Sequence, residues 1–93
     1  MAQINLNSVL KRNSEVRYTK VQEGGLAVKH DTAEILTFNP MAIEIFEKLD
    51  GKKRVKDLLE EILKEYEVEK EEAERDLLEF LRDLYDKKMV DLL

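Results

Sequence analysis

Short apolar segments of strand-like pattern fill the chain up to Phe38, after which hydrophobic positions recur every three to four residues, so the chain divides at Asn39-Pro40. Residues 1–13 are a weakly patterned lead-in whose apolar members are Ile4, Leu6, Val9 and Leu10. Residues 16–23 (VRYTKVQE) are rich in Val, Tyr and Thr and predict a strand. Gly24-Gly25 offers the positive φ angles of a tight hairpin turn. Residues 26–30 (LAVKH) predict the return strand, with Leu26, Val28 and His30 on one face. After a turn at Asp31-Thr32, residues 34–38 (EILTF) predict a third strand. Asn39 suits an N-cap and Pro40 the first helical position. Helix one is expected from Pro40 to Leu49 with Ala42, Ile45, Phe46 and Leu49 on one stripe, closed by Asp50-Gly51. Helix two is expected from Val55 to Tyr66, on Val55, Leu58, Leu59, Ile62 and Tyr66. Helix three is expected from Glu69 to Lys87, on Ala73, Leu77, Phe80, Leu81 and Leu84. Residues 89–93 predict a terminal strand or a tail packed on the core.

The expected fold is α+β: a three-stranded antiparallel meander followed by three helices, similar to a winged helix-turn-helix with its strands placed first. Its domain would span residues 14–93, with residues 1–13 as a lead-in that can serve as an extra or swapped strand. A chain of 93 residues suits one domain, and 43% hydrophobic residues can build one modest core. Cysteine is absent, which excludes a disulfide scaffold, thiol catalysis and cysteine-ligated metal. No apolar run approaches the ~20 residues a membrane span needs, and residues 1–10 are too polar for a secretory signal. Cytoplasmic localisation is expected, with no membrane partner.

Charge is unevenly spread. Residues 1–66 carry eleven basic and eleven acidic side chains; residues 67–93 carry five and ten, so the net −5 sits in the last third. The run from Glu69 to Asp76 lacks EF-hand spacing and reads as a solvated helix face, not a metal site. His30 is the only histidine, and a single strand histidine is read as a surface or half-buried residue rather than a ligand. Gly24-Gly25 has no Lys-Ser/Thr after it and is not a phosphate loop. Ser8 and Ser14 have no base nearby. No catalytic constellation or cofactor motif emerges, and the chain is expected not to be an enzyme.

Taken in order, Glu23-Gly24-Gly25-Leu26-Ala27-Val28, Ile35-Leu36-Thr37-Phe38-Asn39 and Ile45-Phe46-Glu47-Lys48-Leu49-Asp50-Gly51 resemble the PqqD-like family. The resemblance continues through Val55-Lys56-Asp57-Leu58-Leu59, Tyr66-Glu67-Val68 and Phe80-Leu81 to Val90, covering about residues 15–92. No single motif is specific; their order and spacing carry the resemblance. It implies a precursor-peptide recognition element of the kind used in pyrroloquinoline quinone biosynthesis and other ribosomally made peptide pathways. Such a domain is a peptide chaperone. It binds the leader segment of a precursor as an added strand beside the third strand, against the third helix, and presents it to a modifying enzyme, often a radical SAM enzyme. Two positions depart from the family pattern: Phe46 stands where tryptophan is common, and Arg54 where threonine often caps helix two.

Physical chemistry supports such a site. Residues 34–38 carry one charge and no proline or lysine, so they do not blunt a sheet edge, and an open edge is what strand addition requires. The expected edge residues are Glu34, Ile35, Leu36, Thr37 and Phe38. Beside the core stripe of helix three, Leu78 and Tyr85 share a face at seven-residue spacing, with Arg75 and Arg82 near them. These four are the expected helical wall, suited to a peptide with apolar and acidic residues. Two alternatives stand beside this reading: residues 1–13 can cover the edge, and Leu78 and Tyr85 can simply widen the core stripe. Strand hydrogen bonds of ~0.5–1.5 kcal/mol each and apolar anchors of ~1.5–3 kcal/mol each, set against an association cost of ~4–15 kcal/mol, put micromolar binding within reach.

Two rival functions follow from the same pattern. A structural dimerisation module, including a homodimer, would use the apolar lead-in. A winged-helix DNA-binding protein would insert the start of helix three into the major groove. Residues 69–76 (EKEEAERD) carry five acids and two bases, the wrong sign for phosphate, so no nucleic-acid partner is expected.

Overall fold

The computed structural model describes residues 3–93. The expectation for residues 1–13 includes Met1 and Ala2, which lie outside the described residues. In chain order the elements are β1 (Val9–Arg12), β2 (Val16–Val21), β3 (Gly24–Lys29), β4 (Glu34–Phe38), α1 (Pro40–Glu47), β5 (Asp50–Arg54), α2 (Val55–Glu65), α3 (Lys70–Asp86) and β6 (Val90–Leu92). The expected meander is present as the antiparallel sheet β2-β3-β4, and three helices follow it. A second antiparallel sheet, β5-β1-β6, accompanies it.

The glycines act differently from the expectation. The β2–β3 turn is at Gln22-Glu23, and both Gly24 and Gly25 lie inside β3. A Cβ on Gly25 would stand 2.5 Å from Cγ1 of Ile43, and one on Gly24, whose φ is +138°, would stand 2.0 Å from the Phe38 carbonyl oxygen. Close approach of α1 and of β4 therefore demands glycine here, not a turn. The same closeness puts the small residues Gly25 and Ala27 on the inner face of β3. Leu26 and Val28 do share a face, but it is the outer one. His30 follows β3 in an exposed turn that ends at Ala33, whose φ is +61°.

Asn39 caps α1: its Oδ1 accepts from the Ala42 N–H at 2.8 Å, with Pro40 at the first turn. The helix stops at Glu47, earlier than expected, and Asp50-Gly51 opens β5 instead of forming a loop. Arg54 offers no side-chain acceptor to α2. The carbonyls of Leu6 and Ser8 take that role, accepting from the Lys56 and Val55 N–H groups at 2.9 Å each, while Asp57 Oδ2 accepts from the Arg54 N–H at 3.1 Å. The lead-in thus supplies the cap that residue 54 cannot.

Lead-in residues Ile4 and Leu10 are buried in the chain's own core, with Phe46, Leu49, Val55, Leu81, Leu84, Met89 and Val90. Arg12 fastens β1 to the end of α1, its Nη1 donating to the carbonyls of Phe46 and Glu47, while its guanidinium lies 5.2 Å from the centre of the Tyr18 ring. Phe46, fully buried, stacks on Phe38 at 5.3 Å and meets Tyr18 edge-on at 5.6 Å, so phenylalanine fills this part of the core.

Candidate peptide-binding cleft

β4 ends the order β2-β3-β4, and among the described residues no strand pairs with its outer edge. Residues 3–13 do not cover it: β1 pairs with β5 and β6. Ile35 is 63% exposed, while Phe38 is buried. Alternation sends Leu36 and Phe38 towards the core side and Ile35 and Thr37 outward.

Alongside β4 runs α3, and between them lies a cleft of about 140 Å³ lined by Leu36, Thr37, Phe38, Phe80, Asp83, Leu84 and Lys87. Its floor is aromatic, because the Phe80 ring stands edge-on to Phe38 at 5.8 Å. Its far wall carries one acid and one base, Asp83 and Lys87, a helical turn apart. An extended peptide on the β4 edge would set side chains against this floor.

The structure brings Leu36, Thr37 and Phe38 to the cleft, leaves Glu34 and Ile35 exposed on β4 outside its lining, and separates all five from the expected α3 residues. Leu78 is half-buried against the core, and Arg75 and Arg82 are exposed, none of them lining the cleft. Tyr85 lines a different cavity, with Lys29, Asp31, Asp86 and Asp91 among its neighbours. Seven-residue spacing places Leu78 and Tyr85 on one flank of the core stripe; β4 lies against the other flank, where Phe80, Asp83 and Lys87 recur three and four residues apart. Phe80 was legible only as a core residue and Lys87 only as a charge at the helix end. The available signal was their shared flank, but periodicity does not say which flank meets the sheet.

One titrating group near the helices departs from its ordinary behaviour. The Tyr66 hydroxyl donates to Glu44 Oε2 at 3.0 Å; this bond first, then burial and the charges of Glu44 and Glu65, raise its pKa. Tyr66 lies in a small crevice between α1 and α2, apart from the β4 cleft. Among the described residues no group of three or more His, Asp or Glu side chains converges as a metal site would need, and no helix is long and apolar enough to cross a membrane.

Comparison with known proteins came to the same architecture. The family model for coenzyme PQQ synthesis protein D (PqqD) matches residues 25–90. Curated protein sequences give no match. Among solved structures, TbiB1 in complex with the TbiA(beta) leader peptide is 25% identical with a TM-score of 0.80, covering 87% of this chain and 94% of that one. A lasso peptide synthetase B1 complexed with its leader peptide, 23% identical with a TM-score of 0.79 over 88% of this chain and 96% of that one, shares the fold. The family match spans both the β4 edge and the α3 wall, and the chain belongs to the PqqD family.

Proposed function

We propose that this chain binds the leader segment of a ribosomally synthesised precursor peptide and presents it to a modifying enzyme. The leader adds as a strand to β4 over Glu34–Phe38, with alternate side chains resting on Phe38 and Phe80 and polar groups meeting Asp83 and Lys87. One observation carries this reading: an unpaired, nearly uncharged edge beside an aromatic-floored cleft. The two similar structures, each holding a leader peptide, support it. Chemistry on the precursor belongs to the partner, for which a radical SAM enzyme is one candidate class, and the work takes place in the cytoplasm, where precursors are made. The binding unit is residues 14–93, braced from behind by the lead-in. Arg75, Leu78, Arg82 and Tyr85 are then a secondary surface, outside the strand-adding cleft.

Titration of the ¹⁵N-labelled chain with synthetic leaders of precursors encoded beside its gene tests this. Saturable amide shifts at residues 34–38 and 80–87 are expected. Shifts centred on Leu78 and Tyr85 would move the site to the other flank, and no response to any leader would leave a structural role. Self-pairing of β4 edges would show instead as mass that rises with concentration.

A further inference from the structure

The cleft does not end at Phe80. The same ring forms part of a larger cavity, about 550 Å³, between the start of α1, the end of α2 and the first turns of α3. Met41, Ile45, Leu77 and Phe80 give it an apolar lining. Its rim carries Glu67, Glu69, Glu72 and Asp76, and no basic side chain lines it. Among the described residues the three glutamates form no ion pair, and Asp76 has only a 3.9 Å contact with its exposed neighbour Arg75. The volume lies in the range of roughly 300–1,000 Å³ typical of ligand pockets. Asn39, the residue after β4, lies on its border, so the cavity begins where the Phe38 end of the β4 edge stops.

Resting on the strand-addition reading, we propose that this cavity takes the peptide segment that flanks the paired strand at the Phe38 end, and that this segment presents an apolar side chain accompanied by lysine or arginine. The lining removes the apolar group from water. Four carboxylates of one sign around a concave apolar surface attract a cation and repel an acidic segment. The cavity therefore selects among precursors by charge, a selection the β4 edge cannot make, because backbone hydrogen bonds are the same for every sequence.

Selection of random short peptides on the immobilised full chain tests the proposal, repeated on the variant Glu67→Gln, Glu69→Gln, Glu72→Gln and Asp76→Asn combined. All four positions are exposed, so the variant keeps the core. Peptides selected on the native chain should be enriched in an apolar residue within a few positions of Lys or Arg. They should bind the variant about tenfold more weakly, the size expected of two part-exposed ion pairs, and still shift the amides of residues 34–38. Peptides that shift those amides yet show no basic enrichment, or bind the variant equally well, overturn the charge selection and leave strand addition standing. Peptides that leave residues 34–38 unshifted, or failure to select any, overturn both.

Discussion

Gly25 and Ile43 touch where α1 crosses β3, and the contact leaves no room for a methyl group. Gly25→Ala should destabilise the protein by about 1–3 kcal/mol through overpacking. Ile43→Ala removes Cγ1 and Cδ1, the two side-chain atoms nearest the added Cβ, so the double variant should cost less than the sum of the two single variants; strict additivity in chemical denaturation would show that the clash is relieved elsewhere. Tyr66 predicts a pH dependence. Its neutral hydroxyl donates to Glu44, whereas the phenolate would lose that bond and face two carboxylates, so the folded state holds this proton more tightly than the unfolded chain. Stability from this group is full below the ordinary phenol pKa of ~10 and is lost as pH rises through the higher folded value. The stability difference between the native chain and Tyr66→Phe should therefore shrink in strongly alkaline solution, and a difference that stays constant through that range would remove Glu44 as its cause. Residue identity made the Asn39 cap legible in the sequence. It misled at Gly24-Gly25, because a glycine pair looks the same whether it serves a turn or a close crossing.

Strand β4 gives the sharpest test among the elements. Along an antiparallel edge, successive residues direct their N–H groups alternately to the neighbouring strand and to solvent. Of Leu36→Pro and Thr37→Pro, one removes a bond to β3 and should lower the melting temperature by several degrees. The other removes only an outward donor and should weaken leader binding while leaving the fold intact. If neither affects binding with the fold retained, the peptide does not pair with β4. The strand itself was readable in the sequence from its bulky and β-branched residues, its single charge and the turn before it. Strand β5 was not: Asp50–Arg54 reads DGKKR, a loop by composition, and is extended because β1 offers it a ladder and because Gly51 accepts a φ of +82°. The flank of α3 facing β4 was hidden for a similar reason. It depends on the path of the chain between α2 and α3, and Leu78 with Tyr85 makes as regular a stripe as Phe80 with Lys87.

For the molecule as a whole, the lead-in is a structural part and not a removable mask. Leu10 is 2% exposed, in the central strand of the second sheet, and Leu10→Ala should cost about 2–5 kcal/mol, a large share of a small domain's stability. Removing residues 1–13 should abolish cooperative thermal unfolding, since β5 and β6 would lose their common partner and α2 its capping carbonyls. A truncated chain that still melted cooperatively and bound leader more tightly would restore the masking role.

The placement of β1 also sets a timetable. The meander closes over short turns, so β2, β3 and β4 can pair as soon as they leave the ribosome. The second sheet joins residues 9–12 to residues 50–54 and 90–92, and it cannot close until the last of these has emerged. During synthesis, therefore, the open β4 edge is presented before the brace behind it exists. A nascent chain in that state exposes an adhesive strand without a finished core to hold it, which makes crowded translation the condition under which this domain is most prone to mispair with its own copies.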